Sequence, residues 1–184
     1  MILPIAAFGS PILRKKCDEI ESNYHNLDSL LFDMWETMYN AKGVGLAAPQ
    51  INKSIRLFLI DTTPFLDEEE DVEAVKKVFI NPVIIEEKGE KWCFNEGCLS
   101  IPEIREDIVR KSSIIIEYLD ESFNRHIDTF HGLTARVIQH EYDHINGVLF
   151  IDKLSPLRKR MIKGKLVDIT SGNVSASYKM RFFK

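Results

Sequence analysis

The segment QHEYDHINGVLF, residues 139–150, carries His140 and His144 four positions apart, with Glu141 directly after the first. Side chains four apart lie one turn above each other on the same face of an α-helix. Two imidazoles so placed can share one metal ion, and a glutamate beside the first can move protons. A fold that uses the pattern must turn that helix face toward an enclosed site and bring a third ligand to it. The stretch from about residue 132 to 145 reads as that helix, stopped by Asn146 and Gly147.

Downstream the chain offers little as a third ligand. One class of zinc proteases needs a histidine at position 150, which is Phe here, and another takes a glutamate from a later helix. No Glu follows Glu141, no His follows His144 and no Cys follows Cys98. Asp143 lies about 100° around the helix from His144 and should point elsewhere. Asp152 is a weak candidate. Upstream, Cys17, Cys93, Cys98, His25, His126, His131 and several carboxylates remain open. Cys98 stands out within NEGCLSIPEI, residues 95–104, a segment that reads as neither clear helix nor clear strand. Gly97 permits close backbone approach there and Pro102 stiffens the exit.

At 184 residues the chain suits one domain, and can bury a core without disulfides. Three cysteines make no disulfide framework, so reduced thiols are expected and a thiolate is free to bind metal. No apolar run approaches the ~20 residues of a membrane span. The opening residues lack the basic leader of a signal peptide, so a cytoplasmic protein is expected, without membrane association. The net charge of −4 is uneven: residues 154–184 hold eight Lys/Arg and one acid, and much of the remaining acid sits in DEEEDVE, 67–73. That acidic run reads as a solvated loop. The basic end reads as a lysine-solvated surface helix or as a dock for an anionic surface.

Residues 26–43 show helical apolar spacing, with Asn26 as N-cap and Gly43 just past the end. Residues 55–61 read as a buried strand, and 78–85 as a strand whose Pro82 places it at an edge or a bulge. Residues 112–130 read as two strands around a turn near 120–124. After the histidine helix, GVLFIDKL reads as a short extended segment, and Ser155 and Pro156 open a last helix as N-cap and first residue. Strands cluster between helices rather than alternating with them. The expected class is therefore α+β: antiparallel or mixed strands around the histidine helix, with an N-terminal and a C-terminal helix.

Three segments together, GVGLAAPQ (43–50), EGCLS (96–100) and QHEYDHINGVLF (139–150), resemble the signature segments of the peptide deformylase family. The opening GSPILRKKC and the length also match, and the resemblance spans about residues 1–155. It implies that Cys98, His140 and His144 hold the metal, leaving a fourth position for water. Hydroxide formed there would attack the formyl carbon of an N-terminal formylmethionine. Glu141 would take the water's proton and deliver it to the leaving amine, releasing formate. The resemblance assigns the oxyanion to the Gln50 amide and the backbone N–H of Leu99, and the added-strand binding of the peptide to the Gly45 region. It assigns the methionine pocket to Val44, Phe94, Leu133 and Val137. Arg136 stands where many members carry an apolar residue, and is expected at the pocket rim with its head in solvent. By the same resemblance Arg105 holds the Cys98 loop or the peptide backbone, with a structural salt bridge as the equal alternative.

The resemblance further implies Fe²⁺ as the metal, with Zn²⁺, Ni²⁺ or Co²⁺ as substitutes. Formylated nascent chains are the expected partner. The basic residues of the last helix make the ribosome a second candidate partner, and no dedicated DNA binding is expected. Two rivals are an endopeptidase built on HExxH and a non-catalytic module stapled by its ion. The first lacks its downstream ligand. The second needs a fourth protein ligand, and Cys93 lies too far from Cys98 for a close knuckle.

Overall fold

The computed structural model describes residues 1–65 and 74–183. In chain order it contains β1 (Ile5–Ala6), α1 (Leu27–Asn40), β2 (Gly45–Ala47), β3 (Leu57–Asp61), β4 (Lys76–Cys98), β5 (Ile101–Leu119), β6 (Arg125–His131), α2 (Gly132–Ile145), α3 (Pro156–Ser171) and β7 (Met180–Arg181). Short 3₁₀ turns fill Pro11–Arg14, Ala48–Ile51, Thr63–Phe65 and Phe150–Lys153. The acidic run 67–73 lies outside the described residues.

Five strands form an antiparallel sheet in the order β2-β3-β4-β5-β6, and the expected α+β class holds. The only parallel strand pair among the described residues is β1 with β7, which joins the two ends of the chain. β3 is buried throughout, because the sheet is covered on both faces there. Pro82 sits at a bulge of β4, where the register jumps between Ile80 and Val83. A residue without an N–H is tolerated inside a sheet at such a break. β4 pairs with β3 and β5, so the bulge accounts for the proline and the edge does not.

α1 packs Leu27, Leu31, Met34 and Met38 into a core that includes Leu46, Leu57, Leu59 and Ile80. Asn26 precedes it but does not cap it: its φ is +58° and its side chain bonds His25 instead. The segment GVLFIDKL does not stay extended. The Asp152 carboxylate accepts the Leu149 N–H at 2.8 Å and winds Phe150–Lys153 into a 3₁₀ turn. Ser155 caps α3 as expected, its hydroxyl accepting the Arg158 N–H.

α2 follows β6 with no linker. Gly132, at φ +55°, makes the sharp change from strand to helix, a backbone state that disfavours a side chain. The helix lies against β2, β3, β5 and β6, and nearly all of it is buried. Its Arg136, Gln139, Glu141 and His144 are buried with it, although leaving such groups unpaired in a core costs roughly 2–7 kcal/mol each. Gln139 meets this cost locally, donating to the Lys111 and Ala135 carbonyls. The other three face the site.

Candidate active site

Cys98 closes β4, and the turn Leu99 and Ser100 leads straight into β5. NEGCLSIPEI is thus the tip of a long hairpin, which its mixed composition concealed. The ladder is irregular there: Gly97 pairs with Arg105, yet Cys98 pairs with Ile101. This break releases Cys98 from strict alternation and lets its thiol lean over α2. Its Sγ stands 3.2 Å from His144 Nε2. One ligand atom from each of Cys98, His140 and His144 lies within 4.8 Å of the other two. No disulfide engages the thiol, since all three cysteines are free.

This donor set fits a divalent transition metal. A thiolate and two imidazoles suit Zn²⁺, Fe²⁺, Co²⁺ or Ni²⁺, and three ligands leave a position for water. Burial keeps His144 neutral, pushing its pKa well below the ordinary histidine value, and a neutral imidazole is what a metal requires. Burial works against a charge on His140 as well. There, in the metal-free protein, the Cys98 thiol and the Glu96 carboxylate outweigh it and hold the pKa up at about 10; a metal would displace that proton on binding.

Glu96 is the anchor behind His140. Its Oε2 accepts from His140 Nδ1 at 3.1 Å and from Arg110 Nη2 at 3.0 Å, while Oε1 accepts from Arg110 Nε at 2.7 Å and Arg136 Nη1 at 2.6 Å. Burial opposes this charge, but His140 and Arg110 hold the carboxyl well below the usual range. Asp143 faces away from the ligand group, as its helical phase requires, and pairs with Arg110 and Lys153. Glu96 and Arg110 escaped sequence reasoning as functional residues. Glu96 opens EGCLS, and its place two residues before Cys98 was the available signal.

Glu141 is 5% exposed, and its Oε2 has no hydrogen-bond partner. Burial pushes its pKa up to about 7. Gln50 is fully buried in the turn Ala48–Ile51. Its Oε1 accepts the Ala47 N–H at 2.8 Å, which turns Nε2 toward Ser100 Oγ at 3.3 Å and Cys98 Sγ at 3.7 Å.

A cleft of about 630 Å³ opens over these groups, lined by Val44, Gly45, Gln50, Phe94, Cys98, Leu99, Arg105, Leu133, Val137, His140 and Glu141. The sequence-selected residues thus converge, with His144 just beneath. Arg136 lines the cleft too, but the expectation of a solvated head is wrong. The residue is 2% exposed, its guanidinium donating to Glu96 and to the Ile108 and Trp92 carbonyls, and lying over the Trp92 ring. A buried carboxylate and two carbonyls solvate it in place of water. Arg105 is exposed and clasps Asn95 on the opposite strand, across from Gly97.

Residues 2–160 match the family model described as polypeptide deformylase. The chain is 58% identical to a peptide deformylase of Christiangramia forsetii, over 99% of this chain and 96% of that one. It is 44% identical to one from Salinibacter ruber, over 97% and 93%. Among solved structures, a peptide deformylase from Legionella pneumophila superposes with a TM-score of 0.82 at 38% identity, covering 94% of this chain and 98% of that one. That of Thermotoga maritima gives 0.76 at 39% identity, covering 85% and 99%.

Proposed function

Because this chain belongs to the polypeptide deformylase family, we propose that its cleft is the site at which the formyl group is removed from the N-terminus of nascent peptides. The observation that carries this reading is the convergence of Cys98, His140 and His144 beneath a cleft that also holds the unpartnered carboxylate of Glu141. Cys98, His140 and His144 are the proposed ligands. A divalent cation held by them would supply Lewis-acid polarisation and make water a better nucleophile at neutral pH. A closed structural site is disfavoured, since Cys93 is exposed and stands outside the ligand group.

The chain's own side chains do the rest. The peptide lies along β2, an edge strand whose Gly45 leaves room beside Glu141. The methionine side chain occupies the apolar wall of Val44, Phe94, Leu133 and Val137. As the formyl carbon becomes tetrahedral, its oxygen gains negative charge. Gln50 Nε2 and the Leu99 N–H are the fixed donors for it. Glu141 accepts a proton from the attacking water and passes it to the amine as the C–N bond breaks, leaving formate and a free amino terminus. Burial raises the pKa of this carboxyl in the metal-free protein, which suits a group that must both take and give a proton. Arg105 holds the hairpin tip and the peptide backbone at the rim, and Arg136 holds the pocket from behind.

We read residues 1–184 as one deformylase domain, 155–184 being its basic helix and tail. No helix among the described residues is long and apolar enough to cross a membrane, and a cytoplasmic enzyme is proposed. Fe²⁺ is the proposed metal. Full, long-lasting activity of air-prepared, zinc-loaded protein would overturn that choice. On α3, Arg158 is tied to Glu106, whereas Arg160, Lys163 and Lys165 are exposed and available to ribosomal RNA. Wild-type ribosome binding by a variant with those three changed to glutamate would refute that docking.

The reaction itself is tested by formate release from a formyl-methionyl peptide, using anaerobic, iron-loaded protein. Glu141→Ala should abolish it while metal stays bound. No formate from metal-loaded wild type would reject the reading.

A further inference from the structure

The turn of Leu99 and Ser100 carries a proposed oxyanion donor, yet it is a hairpin tip with an irregular ladder. Such a tip should be mobile unless something outside the sheet grips it. Three hydrogen bonds do so. Gln50 Nε2 donates to Ser100 Oγ from inside the site at 3.3 Å. From residues that do not line the cleft, the Phe8 N–H donates to the Ser100 carbonyl at 2.8 Å, and the Tyr178 hydroxyl donates to the Leu99 carbonyl at 2.8 Å.

The two outer bonds come from the ends of the chain, and those ends hold each other. The Ile5 N–H donates to Lys179 and the Ala7 N–H to Arg181, both at 2.9 Å, within the parallel β1–β7 pair. One residue, Ala7, separates Phe8 from β1, and one residue, Lys179, separates Tyr178 from β7. The Tyr178 ring is half-buried against the core that receives α1, and Leu99 packs on the same core. The Leu99 side chain is further confined by Gly43, where an added Cβ would stand 2.8 Å from its Cδ1.

We propose that Tyr178 is a positioning residue for deformylation: its hydroxyl fixes the Leu99 and Ser100 turn from outside, so that the Leu99 N–H is aimed at the developing oxyanion. The inference rests on the function proposed above. It makes the tail after α3 part of the active-site architecture, although no tail side chain lines the cleft among the described residues. A hydrogen bond on the carbonyl side of Leu99 sets the rotation of the turn. The reaction is sensitive to that rotation because an oxyanion donor is useful only when pre-aimed.

The test is Tyr178→Phe, which keeps the ring packing and removes only the donor. It is measured in metal-loaded full-length protein beside wild type, with metal content and melting temperature recorded. Two readouts are taken: steady-state kinetics on a formyl-methionyl peptide, and hydrogen–deuterium exchange of a fragment covering residues 97–101. The expected result is a kcat about tenfold lower with KM unchanged, and faster exchange of that fragment. Loss of a transition-state interaction has that kinetic form, and displacing a group by ~1 Å can cost up to ~100-fold. Wild-type kcat in Tyr178→Phe would overturn the proposal. So would a parallel loss of metal and melting temperature, which would make the tyrosine a fold staple. If wild-type protein itself released no formate, the proposed reaction would fall, while unchanged exchange at 97–101 would separately refute the clasp.

Discussion

Gly45→Ala should cost this protein its activity before it costs its fold. Gly45 opens β2 and is fully buried beside Glu141. A methyl group there would sit 2.5 Å from Glu141 Oε1, 2.8 Å from its Cδ and 2.9 Å from its Cγ. Ordinary van der Waals contact begins near 3.4 Å, so the carboxylate would have to retreat by about 0.9 Å. Glu141 is itself buried on a helix packed against the sheet, and its Cγ also stands closer than ordinary contact allows, so a simple end rotation does not relieve the overlap. Overpacking of this size costs roughly 1–3 kcal/mol of stability, which a domain of this length survives. A catalytic group displaced by about 1 Å can lose on the order of 100-fold in rate. The expected outcome is therefore a kcat about 100-fold lower in protein that still melts cooperatively and binds one metal. The assay is formate release under saturating peptide, with metal content measured on the same sample. A Gly45→Ala enzyme with wild-type kcat would refute the reasoning, since Glu141 would then either not be where the clash places it or not be the proton carrier.

Arg136→Met should release metal about 10- to 100-fold faster to a chelator, because Glu96 loses one of its two guanidinium partners and no longer holds His140 as firmly; unchanged release would show that Arg110 suffices. The Glu96 carboxyl is held below its ordinary value, so it stabilises the fold above pH ~4.5 and that contribution is lost as pH falls from there. Metal-free Glu96→Gln should accordingly show a shallower loss of melting temperature on acidification than metal-free wild type. Glu141 has the opposite sign: its pKa is raised to about 7, so the folded state keeps a proton that the unfolded chain releases. Metal-free wild type should lose stability relative to Glu141→Gln as pH rises from about 4.5 to 7, then run parallel to it. Finally, Gly164 lies exposed within α3 with open space around an added methyl, so Gly164→Ala should raise stability by roughly 0.5–1 kcal/mol in a denaturant titration and leave formate release untouched.

The helix α2 was legible in the sequence because its boundaries and the spacing of its candidate ligands are both local. Four-residue spacing fixes a face, and Asn146 with Gly147 fixes an end, whatever the rest of the chain does. Cys98 was singled out by its irregular setting, by elimination and by resemblance, since nothing local says that a hairpin tip leans over a helix 46 residues away. Arg136 was misread for the same reason. An arginine near a pocket is ordinarily solvated at its tip, and only the hairpin crossing over α2 brings Glu96 and the Trp92 carbonyl to meet it. The reach of β4 and β5 was hidden by residues such as Glu86, Glu87, Lys88 and Glu90, whose exposure lets a strand read as loop. β1 and β7 were missed because two-residue strands carry no periodicity. Their signal is the pairing itself, which joins opposite ends of the chain.

That pairing sets an order of events. Residue 5 cannot find residue 180 until everything between them has been synthesised, so the Tyr178 bond to the Leu99 carbonyl forms after the strands of the sheet are available. Contacts of such long sequence separation form slowly, since a large loop must close before they return any free energy. The sheet and the ligand helix can assemble while the C-terminal segment is still emerging. On the positioning role proposed for Tyr178, full activity follows once that segment has joined them. An enzyme that acts on chains during their synthesis would thus secure this part of its own site only after its sheet and helices have been made.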